Sequence, residues 1–294
     1  AFYGGSFTAI HTDLQHQLLA PACEMLKSGI IDGIRCSTRP DAVSDEAITL
    51  LQSYGVKTVE LGVQSMNDSI LVDAKRGHTA EEVVEAVVRL KQRGMTVGVQ
   101  LLPGLKGETW ETILETAVAI VKLKPDFVRI YPVLVIKNTE LADQYRAGEY
   151  EPLSTEQAIK YCAFLKEWFE RQTIEVIRTG LQSTEELDSG NSLVAGPYEP
   201  AMGELVVNEQ YKQCLERCIN EHIESSIGEG ISQRNVWGQL NTFTALNISI
   251  FYPRSLTSKV RGLKNRNVLY FKDLYPQCNI HWYEDRTRNT VRCC

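Results

Sequence analysis

No run of eighteen apolar residues occurs in the 294-residue sequence, so no segment is long enough to cross a bilayer as a helix. Internal repeats and low-complexity tracts are also missing, which sets aside solenoids and biased tails. Histidine is scarce, with five residues, and no expected strand end carries a His-rich or paired-carboxylate set. That argues against an ordinary acid–base or metal-assisted barrel enzyme. The eight cysteines (Cys23, Cys36, Cys162, Cys214, Cys218, Cys278, Cys293 and Cys294) are spread too widely for a small disulfide scaffold. They read as reduced thiols of a cytoplasmic protein.

What is present is a globular composition, 43% hydrophobic and 23% charged. The length allows one large core with an appendage, or two domains. The net charge of −6 conceals an asymmetry: residues 253–294 hold nine Lys/Arg against three Asp/Glu, and the remainder holds 22 against 34. The acidic bulk opposes long-range attraction of nucleic acid, while the basic end offers a docking face.

To about residue 180 the pattern alternates short apolar runs with amphipathic helices. "GIRC" (33–36), "TVELGV" (58–63), "TVGVQLL" (96–102), "FVRIY" (127–131) and "IEVIR" (174–178) read as buried strands. Thr79 with Glu82 forms a capping box before one helix, Trp110 to Val121 supplies the stripe of a second, and Ser154 with Gln157 caps a third. This rhythm is that of βα units on a parallel sheet. Further on, 187–203 is rich in Gly and Pro and reads as a long ordered loop, followed by a polar helix near 204–227. The end reads strand, helix, turn, helix, strand: a small α+β domain.

In a parallel α/β barrel, chemistry sits where strands end. The strand ends carry Gly4-Gly5-Ser6, then Ser37, Thr38, Arg39, Pro40 and Asp41, then Gln64 and Ser65, with Gln100 inside the next strand and Tyr131-Pro132 after the last. Singly, each has a plain structural reading: a turn glycine, an Arg39–Asp41 pair, a capping Gln64. Together they favour a ligand with an amino-acid-like head, because paired glycines admit backbone close to an ammonium and Arg76 offers a fork for a carboxylate.

These motifs resemble the radical S-adenosylmethionine (radical SAM) superfamily. "FYGGSF" is similar to its glycine-rich motif, and "STRPD", "ELGVQSMNDSILVDAKRGHT" and "VQLLPGLKGET" follow in the order of the branch containing the Elongator catalytic subunit. The resemblance covers most of residues 1–210. It implies a [4Fe–4S] cluster held by a CxxxCxxC loop, S-adenosylmethionine chelated to the cluster, and a 5′-deoxyadenosyl radical formed on reduction by a donor such as a flavodoxin or ferredoxin. The sequence holds no CxxxCxxC, so the expectation is an N-terminally truncated chain whose cluster cysteines lie upstream of Ala1 and which is inactive as given. "CLERC" (214–218) has Glu221 where the third thiolate belongs, and Cys214, Cys218 and His222 read as ordinary helix residues.

By the resemblance, Gly4, Gly5 and Ser6 receive the methionyl ammonium, and Gln64 and Arg76 contact ribose and carboxylate. Gln100, and Ser37 or Thr38, stand where relatives place ribose-facing acids. His78 reads as a loop residue. The Elongator likeness implies a transfer RNA (tRNA) substrate, although the tail has no acetyl-CoA loop and is too short for an acetyltransferase domain. "SKVRGLKNRNVLYFKDLYPQCNIHWYED" loosely resembles the KH fold, which makes Lys259, Arg261, Lys264 and Arg266 candidates for RNA contact. The fold expected is α/β: a partial (β/α)6 TIM-like barrel missing its first βα unit over 1–185, with a small α+β domain over 186–294. The alternatives are the same chemistry on a small molecule, as in coproporphyrinogen oxidases, and an inert RNA-binding protein that keeps the barrel.

Overall fold

A computed structural model describes residues 1–230, 246–287 and 290–293. Its contacts divide into two compact units, Ala1–Met202 and Gly203–Cys294. Residues 186–202, which the sequence reading groups with the tail, lie in the first unit.

The first unit is built on a five-stranded sheet of β1 (Ile34–Thr38), β2 (Val56–Gln64), β3 (Thr96–Leu101), β4 (Phe127–Ile130) and β6 (Glu175–Thr179), in that order and parallel throughout. Phe2 extends it: its N–H donates to the Arg35 carbonyl and its carbonyl accepts from the Ser37 N–H, both at 2.9 Å. The opening residues therefore run parallel to β1. The helices α1 (Thr12–Lys27), α2 (Asp45–Ser53), α3 (Asp68–Asp73), α4 (Ala80–Gln92), α5 (Trp110–Leu123), α6 (Glu140–Arg146) and α7 (Thr155–Arg171) fall between strands. The capping boxes at Thr79 and Ser154 form as their sequence predicts, and Thr109 makes another ahead of α5.

A strictly sequential strand order with right-handed crossovers puts every crossover helix on one side of the sheet. The residues that meet the helices are aliphatic and buried: Val59, Leu61, Val97, Val99, Leu101, Val128 and Ile130. Alternate residues face the other way, and they are polar: Arg35, Ser37, Glu60, Gln100 and Arg129. One aromatic interrupts this face. The Phe127 ring lies over Gly98, with the Arg35 guanidinium 5.6 Å from its centroid.

The segment 187–203 differs from its reading as a loop. α8 (Glu185–Asp188) precedes it, β7 (Leu193–Ala195) pairs antiparallel with β5 (Val135–Ile136), and Met202 opens α9 (Met202–Gly230). Gly and Pro spacing hides a strand of three residues because so short a strand carries no period of its own.

The second unit joins α9 to the expected strand–helix–turn–helix–strand: β8 (Leu246–Tyr252), α10 (Thr257–Arg261), α11 (Arg266–Leu274) and β9 (Cys278–Glu284). β8 and β9 are parallel, and β10 (Arg292–Cys293) adds antiparallel to β8. Ile248, Ile250, Tyr252, Val260, Phe271, Leu215 and Ile219 make its core.

A Cβ at Gly98 would lie 2.2 Å from the Phe127 ring. Gly98→Ala is therefore expected to cost about 1–3 kcal/mol through overpacking, read as a lower urea midpoint. Phe127→Leu in the same chain should recover most of that loss. A Gly98→Ala protein unfolding at the wild-type midpoint would show that the ring does not depend on this contact.

Candidate functional site

The rim above the polar face begins at Gly4 and Gly5, with φ of +143° and +77°, values that side chains rarely adopt. Nothing lies within 4 Å of a Cβ built at either, so the backbone here borders open space. Ser6 starts the 3-10 turn Phe7–Ala9, and Phe7 tucks beneath it with its ring 4.9 Å from that of Phe2. Thr38 is spent on holding this loop. Its Oγ1 accepts from the Thr8 N–H at 3.1 Å and lies 2.5 Å from the Thr8 hydroxyl. Ser37 stays on the polar face, buried, within 3.5 Å of the Gln100 amide nitrogen.

Gln64 ends β2 in the left-handed region, at φ +69°. Its amide folds back over Gly62, where a Cβ would come within 2.8 Å of it. A strained non-glycine residue at a strand end is a feature of binding sites rather than of packing alone. One residue earlier, the Val63 carbonyl lies 3.1 Å from Nε2 of the buried His78. With the proton on Nε2, Nδ1 is left as a buried acceptor with no partner. His78 thus pins the loop that carries Arg76. Arg39 pins it from the other side, donating to the Gly77 carbonyl at 3.2 Å while forming a bidentate pair with Asp41 at 2.9 and 2.6 Å.

Arg76 between these clamps is half-buried, and among the described residues it has no acidic partner. Its Nε has no acceptor at all. Burial, with the Arg39 guanidinium adding to it, holds its pKa below the usual arginine value. A desolvated guanidinium without a counter-ion is a place for an anion.

Deeper on the face lies a feature that motif reading missed. Glu60 has no exposed surface, yet it carries a carboxylate in the middle of β2. Arg35 Nη1 donates to Oε1 at 3.0 Å, Gln100 Nε2 to Oε2 at 3.0 Å, and Arg129 approaches with Nε 2.8 Å from Oε2 and Nη2 3.3 Å from Oε1. Arg129 also donates to the Tyr131 hydroxyl at 3.1 Å and lies over the Tyr3 ring. Gln100 is therefore committed to Glu60 as well as facing the rim. The signal was present: a Glu inside "TVELGV" and an Arg inside "FVRIY" are charges in buried strands, which require each other.

The loop after β3 has its own anchor. Glu108 Oε2 accepts from the Gly104 N–H at 2.5 Å, and the Tyr150 hydroxyl donates to the Gly104 carbonyl at 2.6 Å. Although Glu108 is only partly buried as a residue, desolvation of its carboxyl pushes it up to about 7 against the opposing backbone N–H groups.

Cys23, Cys36 and Cys162 are buried free thiols, and burial beside Glu60 pushes Cys36 up to about 12. Among the described residues no group of three or more His, Cys, Asp or Glu is placed to hold a metal, and Cys294 lies outside them. No described helix is long and apolar enough to cross a membrane. In the second unit Lys259, Lys264 and Arg266 are exposed, whereas Arg261 donates to the Asn265 carbonyl oxygen of the side chain at 2.9 Å and to the Tyr252 hydroxyl at 3.3 Å.

A parallel α/β sheet thus carries a glycine loop and a strained Gln at its strand ends, and an Arg with no acidic partner among the described residues in the loop between α3 and α4. The chain belongs to the radical SAM superfamily: the superfamily profile matches residues 2–120 and the Radical_SAM C-terminal domain matches 125–213. It is 39% identical over 132 residues to a tRNA uridine(34) acetyltransferase of Methanocaldococcus jannaschii, covering 44% of this chain and 24% of that protein. The corresponding protein of Methanocaldococcus infernus is 34% identical over 190 residues, 62% of this chain and 34% of its own. The human Elongator complex protein 3 is 30% identical over 134 residues, 45% and 24%. The solved structure of M. infernus Elp3 with an N-terminal deletion superposes with a TM-score of 0.62 at 29% identity, over 72% of this chain and 53% of that one. The chain thus spans a quarter to a third of the length of these curated relatives.

The Glu108 carboxyl makes stability depend on pH. Its folded pKa, about 7, lies above the ordinary 4.5, so its contribution is fully present below pH 4.5 and is lost as pH rises through 7. Glu108→Gln cannot lose a proton. Its melting temperature is expected to gain on the wild type by roughly 7–14 °C as pH goes from 4.5 to 8, with most of the gain between 4.5 and 7. A pH-independent difference between the two would place the Glu108 pKa near its ordinary value.

Proposed function

We propose that this chain is the barrel portion of a radical SAM enzyme that acts on tRNA. The observation that carries this reading is Arg76: a clamped, half-buried guanidinium with no acidic partner among the described residues, in a unit that also holds the open Gly4-Gly5 loop and the strained Gln64. Those residues fit S-adenosylmethionine. The Gly4-Gly5 backbone receives its ammonium, Arg76 takes its carboxylate, and Gln64 with Ser37 and Gln100 lines the ribose side. The described residues supply no thiolate set for a [4Fe–4S] cluster. When held at such a cluster and reduced by a one-electron donor such as a flavodoxin or ferredoxin, S-adenosylmethionine supplies radical hydrogen-abstraction chemistry. The task of this chain is orientation and exclusion of water: Thr38 fixes the glycine loop through Thr8, and His78 and Arg39 fix Arg76.

The tRNA part of the reading is supported by relatives named for tRNA uridine(34) modification and by the exposed Lys264 and Arg266 on the turn between α10 and α11. RNA contact by Lys259 and Arg261 is the extension of the same patch, with Arg261 also tying down Asn265.

Equilibrium binding of S-adenosylmethionine to the chain tests the first part. Saturable binding is expected, weakened about tenfold or more by Arg76→Met, since a charge-assisted hydrogen bond contributes roughly 1.5–3 kcal/mol, and abolished by Gly5→Val. An Arg76→Met protein with wild-type affinity would overturn the carboxylate assignment. Binding of labelled tRNA tests the second. Reversing Lys264 and Arg266 to Glu should weaken it and flatten its salt dependence; affinity unchanged by the reversal would remove the tail from the interface.

A further inference from the structure

The proposed cofactor site leaves part of the polar face unused. Arg178 of β6 is the partner of Arg129 across an irregularity in which Ile177 is the extra residue, so the two arginines are backbone neighbours on adjacent strands. Gln100 pairs with Arg129 on its other flank. The row Gln100, Arg129, Arg178 therefore crosses the carboxyl half of the strands toward β6, with Tyr3, which leads into the glycine loop, beside Arg129.

The charges on this face do not balance. Arg35, Arg129 and Arg178 face a single buried carboxylate, Glu60. Arg35 and Arg129 both pair with it, whereas Arg178 has no ion pair among the described residues; its Nε donates to the Gly180 carbonyl at 3.2 Å. Glu175 also falls on this face, through its pairing with Phe127, but it opens β6 at the opposite end. Arg129 is itself incompletely used: its Nε is 2.8 Å from Glu60, yet no acceptor lies in line with that N–H. Around the pair stand phenols: the Tyr131 hydroxyl at 3.1 Å from Arg129 and the Tyr3 hydroxyl at 3.5 Å, with Tyr3 largely exposed at the rim. Two arginines on neighbouring strands, with phenol hydroxyls beside Arg129, supply the donor types that hold a tetrahedral or planar oxyanion.

We propose that Arg129 and Arg178 form an oxyanion subsite that takes a phosphate or carboxylate group of the molecule acted on. Assigning that molecule as the second substrate rests on the proposed function; the oxyanion chemistry does not. The arrangement also explains why Glu60 is buried. Glu60 pairs with Arg35 and Arg129, leaving Arg178 to supply the uncompensated charge.

The probes are inorganic phosphate and acetate, titrated into the chain carrying Arg76→Met, which removes the first unit's other guanidinium without an ion pair. Phosphorus and carbon NMR line widths report binding. Saturable binding is expected, weakened about tenfold or more by Arg178→Met and partly restored by Arg178→Lys, which keeps the charge and loses the fork. Tighter binding of phosphate identifies a phosphoryl group on the ligand, and tighter binding of acetate a carboxyl group. No saturable binding of either probe, or equal binding in the Arg178→Met protein, overturns the subsite. S-adenosylmethionine affinity, measured separately on chains with Arg76 intact, should be the same with and without Arg178→Met. Loss of cofactor binding with phosphate binding retained would therefore strike the proposed function and leave the subsite standing. Where Arg178→Met lowers the urea midpoint, Arg178→Lys gives the decisive comparison, because a purely structural role would not separate phosphate from acetate.

Discussion

A carboxylate with no exposed surface in the middle of a β-sheet is tolerable only when its partners are arranged around it, because desolvating the charge costs several kcal/mol. Glu60 meets that condition with donors from three other strands: Arg35 on β1, Gln100 on β3 and Arg129 on β4. The condition also ties the strands to one another. Slipping any of them by one residue would turn its donor toward the helices and its aliphatic neighbour toward Glu60. The register that puts Gly4, Ser37, Gln64 and Arg129 at one end of the sheet is thus the register that satisfies this carboxylate.

The loops above the sheet are positioned by side chains that touch no ligand. Thr38 holds Thr8 and so the glycine loop, Arg39 and His78 hold the Arg76 loop, and Glu108 with Tyr150 holds the turn at Gly104. Each anchor bonds to backbone, which fixes the loop path while leaving side chains such as Arg76 unspent. Unspent polar groups in a half-buried setting cost stability, and a fold keeps them where a ligand repays that cost.

Much of this was legible from residue order. The five strands were readable because most of their helix-side residues are aliphatic, and the helix starts because Thr79–Glu82 and Ser154–Gln157 carry their own capping chemistry. The glycine loop, Gln64 and Arg76 were readable as a set because strand ends converge in any parallel α/β sheet. What stayed hidden depends on which strand lies beside which. Glu60 and Arg129 are 69 residues apart, and nothing local says that they meet. Thr38 reads as a ligand contact because a polar residue at a strand end looks the same whether it faces a ligand or braces a loop. The strand at 193–195 escaped because it exists only through its pairing with β5.

The second unit repeats the lesson with an amide in place of a charge. The turn from Gly262 to Asn265 holds three residues at positive φ, Gly262, Lys264 and Asn265. Such a turn opens spontaneously unless something closes it. Asn267, buried, donates to the carbonyls of Val260 and Asn208 at 3.1 Å each. The Asn208 side chain, oriented to suit both neighbours, donates to the Ser258 carbonyl at 3.2 Å and accepts from the Leu263 N–H at 3.1 Å. The two amides staple both sides of the turn to α9, and a Cβ at Gly262 would come within 3.0 Å of the Asn267 side chain. Lys264 is thus held in a strained backbone conformation that exposes its side chain, with Arg266 exposed two residues on. The conformation of the turn therefore depends on Asn208 and Asn267 as the register of the sheet depends on Glu60: in both, a buried polar group is satisfied only by one arrangement of the segments around it.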